Sequence, residues 1–181
     1  MIIVMGLPGA GKSTVLKIAA DAGWNVSNYG TEMFEIAKEL YGIENRDQLR
    51  KLKAEEQKIV QAKVGEKLAA ITERKTILDT HCSINTSKGY LPGLPYSIIS
   101  KLKVERLVMV TAPIADIMQR RSADKSRVRD EQSEQSLAEH DDMNRNYLAA
   151  YSVICAAPAI ILQNANGKLE QTQSRFAALL E

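Results

Sequence analysis

A chain of 181 residues, 45% hydrophobic and 25% charged, reads as one soluble globular domain. It can bury about 70% of its unfolded surface without disulfide or metal staples. Lys plus Arg number 24 against 22 Asp plus Glu, a net charge of +2, which excludes a histone-like or polybasic-tail protein but permits local basic patches. Two cysteines, Cys82 and Cys155, make no disulfide framework; they are expected to be reduced thiols in a cytoplasmic protein.

The apolar run Met1 to Met5 predicts a short buried strand. It lacks a basic leader and is too short for a signal peptide. Lys12 to Ala22 has helical spacing through Val15, Leu16, Ile18, Ala19 and Ala22, and Gly23 stops it. Trp24 to Asn28 reads as a second strand, Thr31 to Tyr41 as a helix ended by Gly42. Asn45 is a predicted cap for one long helix to about Glu73, with Leu49, Leu52, Ile59, Val60, Val64, Leu68 and Ile71 on its apolar face. Two helices thus stand where a minimal strand–helix–strand unit needs one.

Thr76 to Leu78 predicts a strand leading to Asp79, and Ser83 to Pro95, with its glycines and prolines, predicts a loop. Leu94 to Leu102 predicts a short helix, Arg106 to Thr111 a buried strand, and Pro113 the start of a helix through Arg120. Ser122 to Glu131 is a polar connection, Ser133 to Ala156 a helix, Ala159 to Leu162 a strand, and Gly167 to Glu181 a closing helix. The uncharged stretch from Asn146 to Gly167 is split by Pro158, so it reads as a helix end and a strand, not a membrane span. The alternation points to an α/β domain with a largely parallel sheet.

Gly6-Leu7-Pro8-Gly9-Ala10-Gly11-Lys12-Ser13-Thr14 fits the pattern G-x-x-x-x-G-K-[ST], between a predicted strand and a predicted helix. Backbone N–H groups can surround a polyphosphate only where the chain curls tightly and side chains do not intrude, hence the glycines. The helix that follows turns its positive end to the phosphates. Lys12 adds a mobile point charge, and Ser13 an oxygen suited to Mg²⁺. These residues predict a site for a nucleoside triphosphate with Mg²⁺.

Asp79, at a strand end, is a candidate carboxylate for Mg²⁺; the bland alternative is a loop or capping Asp. Arg120, Arg121, Lys125, Arg127 and Arg129 place five cations in ten residues, more than a solvated face needs, and predict an arginine-bearing lid that neutralises phosphoryl oxygens and excludes water. Arg46 and Arg50, four apart, would share a helix face and grip a phosphate together, unless they merely pair with Asp47 or Glu44. Of two histidines, His81 follows Asp79 closely and His140 is expected to face solvent. No general base stands out, which favours an acceptor that is already an anion.

The phosphate loop, Asn28-Tyr29-Gly30, the stretch Asn45 to Leu52, Asp79-Thr80-His81, Gly89 to Pro95 and Arg127-Val128-Arg129-Asp130 together resemble the archaeal-type adenylate kinases, in order from residue 1 to about Asn164. The resemblance implies reversible transfer of the γ-phosphoryl of ATP to AMP, giving two ADP, with Mg²⁺. It implies a P-loop nucleoside-monophosphate-kinase fold: a five-stranded parallel sheet flanked by helices, a helical AMP-covering insertion and a short Arg-rich lid. On this reading one domain spans 1–181, with its core at 1–30, 74–119 and 132–181, the insertion at about 31–63 and the lid at about 120–131.

The same resemblance carries Gly6 to Thr14 over as the ATP site, with Lys12 on the transferring phosphoryl and Ser13 and Asp79 toward the metal. Arg120 matches the arginine that opens the lid, and Arg127 and Arg129 match lid arginines facing both nucleotides. Thr31, Arg46, Arg50 and His81 fall to the AMP side. There the chain departs from bacterial and eukaryotic relatives: Glu35-Ile36 and His81-Cys82 stand where those place arginines. A trimer is implied by the family alone, and neither a membrane nor a nucleic acid partner is expected. Two other readings stay open: another small P-loop kinase, and an ATP-hydrolysing assembly factor. The absence of an N-K-x-D stretch argues against a GTPase.

Overall fold

The computed structural model describes residues 1–49, 51–71, 75–124 and 132–181. In chain order the elements are β1 (Ile2–Met5), α1 (Lys12–Asp21), β2 (Asn25–Asn28), α2 (Tyr29–Tyr41), α3 (Arg46–Leu49), α4 (Ala54–Ala69), β3 (Thr76–Asp79), β4 (Ser83–Thr86), β5 (Gly89–Pro92), α5 (Tyr96–Ile99), β6 (Arg106–Thr111), α6 (Ile114–Ala123), α7 (Glu134–Cys155), β7 (Ala159–Gln163) and α8 (Leu169–Ala177). Five strands form one sheet in the order β2-β3-β1-β6-β7, and every pairing in it is parallel.

Parallel strands buried on both faces need apolar side chains at every position, not at alternate ones. This is why Ile2, Ile3, Val4 and Met5 run without a polar break, and all four are buried. Ile3 and Met5, with Leu107 and Met109 of β6, meet Met33 of α2, Val60 and Val64 of α4, Ile98 of α5 and Leu148 of α7. Ile2 and Val4, with Val108 and Val110, meet Val15 of α1, Ile117 of α6 and Phe176 of α8. Each such side chain contributes about 1.5–3 kcal/mol on full burial. Because all five strands point the same way, Gly6, Asn28, Asp79, Thr111 and Asn164 emerge at one edge, where open α/β sheets bind ligands.

Three elements differ from the sequence expectation. The single helix from Asn45 to about Glu73 is two helices, α3 and α4, with residues 51–53 between them; residues 72–74 lie outside the described set. Asn45 does cap α3, its Oδ1 accepting from the Gln48 N–H at 3.1 Å. A second start follows because the Glu56 carboxylate accepts the Lys53 N–H at 2.8 Å and the Gln57 amide donates to the Leu52 carbonyl at 2.9 Å. These side chains satisfy the backbone groups that the break exposes. Ile59, expected on the apolar face, is exposed, whereas Val60, Val64 and Leu68 are buried.

The segment expected to be a loop contains an antiparallel hairpin, β4 with β5, in which Ile84 pairs with Leu91. The Thr86 hydroxyl accepts the Lys88 N–H at 3.2 Å and donates to the Gly89 carbonyl at 2.7 Å, which closes the tip. Gly89 begins a strand and Pro92 ends one, so neither breaks the ladder from within. The hairpin explains the third difference. His140, expected in solvent, is buried; its ring centroid lies 5.1 Å from that of Tyr90, and its Nε2 lies 3.3 Å from the Ser83 carbonyl oxygen.

Candidate active site

Gly6 to Gly11 joins β1 to α1 in a curl that only glycine permits at its first position. Gly6 has φ +146°, and a β-carbon there would overlap the Val110 carbonyl oxygen. The Ala10 N–H donates to the Leu7 carbonyl at 3.1 Å, which tightens the turn. Leu7 and Ala10 are buried, whereas Ser13 and Thr14 are exposed at the first turn of α1.

The loop is clamped from behind. The Asn164 amide donates to the Ala10 carbonyl at 2.9 Å. Arg120 donates to the Ala10 and Gly9 carbonyls at 3.3 and 3.4 Å, to the Asn164 carbonyl at 2.8 Å and to the Asn166 side chain at 2.7 Å. Arg121 donates to the Pro8 carbonyl and to the Gln132 side chain, both at 2.8 Å. These bonds engage the carbonyls of Pro8, Gly9 and Ala10 and brace the loop. Asn164 and Asn166 carried no motif; only the sheet brings them here. Arg121 was legible as one of the clustered cations, but its loop partner was not.

Lys12 and Asp79 meet across the mouth of the loop. The Lys12 ammonium lies 3.8 Å from Asp79 Oδ1 and donates to the Gly6 carbonyl at 3.1 Å. Asp79 Oδ2 accepts from the Asn28 amide at 2.9 Å. Among the described residues, Asp79 Oδ1 is buried and has no hydrogen-bond partner. A buried carboxylate oxygen 3.8 Å from the phosphate-loop lysine is chemically suited to a hard divalent cation.

His81 leaves β3 two residues after Asp79 and is exposed on one side. Desolvation of its inner side lowers its pKa to about 4, the Lys12 ammonium adds to the shift, and Asp79 opposes it. The exposed side keeps part of its hydration, and on either count the ring is neutral at pH 7. A neutral ring has one N–H donor, which the Gly6 backbone engages, so His81 brings no charge to a phosphate.

Thr31 lies in the first turn of α2, and its hydroxyl accepts from Arg46 Nη2 at 2.7 Å. Arg46 therefore links α3 to the start of α2. Arg50 lies outside the described residues, as do Lys125, Arg127 and Arg129. Arg145 pairs with Asp141, donating from Nη2 at 2.9 Å, and Asp141 accepts from Thr111 at 2.9 Å. Glu32 and Lys67 join α2 to α4 at 2.6 Å. Burial pushes the Glu32 carboxyl up, but hydrogen bonds from Lys67 and Ser27 and the Lys67 charge leave it below the ordinary value. Among the described residues no group of three His, Cys, Asp or Glu side chains forms a metal cluster, and no helix is long and apolar enough to cross a membrane.

Residues 5–138 match the family model described as an AAA domain. The chain is 41% identical over 180 residues to an adenylate kinase of Thermoplasma volcanium, covering 99% of this chain and 98% of that protein. It is 38% identical to an adenylate kinase of Methanocaldococcus jannaschii, covering 100% and 98%. Among solved structures, a shikimate kinase from Bacteroides thetaiotaomicron superposes with a TM-score of 0.63 at 13% identity, covering 99% of this chain and 97% of that one. A shikimate kinase from Acinetobacter baumannii gives 0.61 at 16%, covering 99% and 91%. At those identities the structures bear on the fold alone, the P-loop kinase fold with its five-stranded parallel sheet. Kinship along the full length, together with the phosphate loop and the carboxylate at the end of β3, places the chain in the archaeal adenylate kinase family.

Proposed function

We infer that this protein is an ATP:AMP phosphotransferase, making two ADP reversibly and so balancing the adenine nucleotide pool. The observation that carries the acceptor's identity is the full-length kinship with adenylate kinases. In the forward direction an AMP phosphate oxygen forms a bond to the γ-phosphorus of ATP. The bond from that phosphorus to the β–γ bridging oxygen breaks, and ADP leaves. The nucleophile is already an anion, so no base is required. This agrees with a site whose nearest histidine is neutral and whose carboxylate sits beside Lys12.

The backbone amides of Gly6 to Thr14 cradle the ATP phosphates, and Lys12 follows the transferring group. Mg²⁺ fits the bare Asp79 oxygen and the Ser13 hydroxyl; when bound, it neutralises charge on the phosphates. Arg120 stands at the loop, and Arg127 and Arg129 complete the charge stabilisation from the lid. Thr31, Arg46, Arg50 and His81 hold AMP. The insertion at about 31–63 covers AMP and the lid at about 120–131 covers ATP, around a core in a single domain. A cytoplasmic homotrimer completes the proposal, which sedimentation velocity tests.

The deciding assay supplies ATP and Mg²⁺ with each nucleoside monophosphate, and separately with small hydroxyl acceptors such as shikimate. ADP formation that depends on AMP is expected. Turnover with a hydroxyl acceptor alone would favour another small kinase, and ATP hydrolysis indifferent to AMP would favour an assembly factor.

A further inference from the structure

One side chain connects the two halves of the site. Asn28 ends β2 as the register partner of Asp79 in β3. Its Nδ2 donates to Asp79 Oδ2 at 2.9 Å. Its Oδ1 accepts from the Thr31 N–H at 3.0 Å and from the Thr31 hydroxyl at 3.3 Å. The Thr31 hydroxyl accepts in turn from Arg46 at 2.7 Å. A carboxamide has a donor end and an acceptor end. Here only one orientation satisfies both, because a flip would set oxygen against the Asp79 carboxylate and N–H against the Thr31 N–H.

The consequence falls on the Lys12–Asp79 pair. A carboxylate and an ammonium with nothing else to restrain them close to about 2.7–2.9 Å. This pair stands at 3.8 Å, with Asp79 held by Asn28 on its other oxygen and Lys12 held by the Gly6 carbonyl at 3.1 Å. We propose that Asn28 is a positioning residue. It keeps the Asp79 carboxylate from collapsing onto Lys12 and, through Thr31, ties that carboxylate to Arg46 on the insertion. The inference rests on the reading of Lys12 and Asp79 as phosphoryl-transfer groups and of Arg46 as a contact to the acceptor. An Arg46 that exchanged the Thr31 hydroxyl for a phosphate would release the relay at one end, and the change would reach Asp79 at the other.

Asn28 also caps α2, so Asn28→Ser is the informative variant. Serine is a strong cap and keeps the acceptor for the Thr31 N–H, but it has no second arm to reach Asp79. The expected result is a fall in kcat of about tenfold or more, on the scale of misplacing a reacting group, with Tm nearly unchanged. In an Asp79→Asn background the same substitution should add little. A second readout needs no turnover. In protein free of nucleotide and metal, the ¹⁵N resonance of the Asn28 side chain should move on Arg46→Ala, because the Thr31 hydroxyl bonds to both.

A kcat for Asn28→Ser within twofold of wild type, full additivity with Asp79→Asn, or an unmoved Asn28 resonance would each overturn the proposal. Failure of the wild-type protein to convert ATP and AMP would instead overturn the functional reading, and the resonance experiment would still decide the relay.

Discussion

Asn164 donates from its side chain to the Ala10 carbonyl at 2.9 Å, so the residue that follows β7 holds the back of a loop that follows β1. The bond is buried, with Asn164 only 4% exposed. Asn164→Ala should destabilise the fold by about 1–3 kcal/mol, the cost of leaving a buried polar group short of its partner. It should also raise KM for ATP more than KM for AMP. Urea unfolding and initial-rate kinetics measure the two effects, and an unchanged KM for ATP would separate the clamp from the phosphate site.

In the proposed mechanism Lys12 acts on the phosphates, and the Asp79 carboxylate stands 3.8 Å from its ammonium. Lys12→Ala should remove about 3 kcal/mol or more of transition-state stabilisation, as loss of one positioned donor does. That is a fall in turnover of about a hundredfold or more. The circular dichroism spectrum should not change, because the hydrophobic core does not depend on this side chain. A variant that kept wild-type turnover would remove the phosphate-loop mechanism.

The Glu32–Lys67 pair fastens α2 to α4, and the Glu32 carboxyl is depressed below its ordinary value of 4.5. A depressed carboxyl binds protons more readily in the unfolded chain, so its contribution is complete above that value. It is lost as pH falls through the folded-state pKa. Protection factors for amide hydrogen exchange in α2 and α4 should therefore fall selectively in acid. Glu32→Gln should already show the lower protection at pH 7 and lose the acid-dependent fall.

His140 also costs stability in acid, because its neutral form is the one the fold favours. Burial disfavours its charged form, Arg121 adds to the effect, and the Ser83 carbonyl and the carboxylates of Asp141 and Glu139 oppose it, leaving the ring below its ordinary value of 6.5. As pH falls below 6.5 the unfolded chain takes up a proton that the folded chain refuses, so stability declines. Among the described residues Nδ1 of this ring is buried without a hydrogen-bond partner, so protonation would place a charged N–H where none of them accepts it. Unfolding midpoints between pH 7 and 5 should fall for the wild type and fall less for His140→Gln.

The phosphate loop and the strands that flank it were readable from local sequence. A run such as Ile2 to Met5 can only be buried on both sides, and Gly6 to Ser13 can only be a side-chain-poor curl before a helix. Turn and cap chemistry is local too, which is why Gly42, Asn45 and Ser133 marked helix ends where the structure has them. The break at residues 51–53 and the Ser83 hairpin were missed because helical periodicity continues across the first and glycine and proline sit at the strand ends of the second. What the tertiary structure alone decided is which distant groups meet. Arg121 on Pro8 and Asn28 on Asp79 are contacts that parallel strand order creates by bringing the ends of separate strands to one edge, and Arg46 on Thr31 is made by α3 packing on α2. His140 is buried for a similar reason, because the hairpin that carries Ser83 and Tyr90, far earlier in the chain, packs against it. Sequence spacing encodes neighbours along a helix or strand, and only packing encodes neighbours across the sheet.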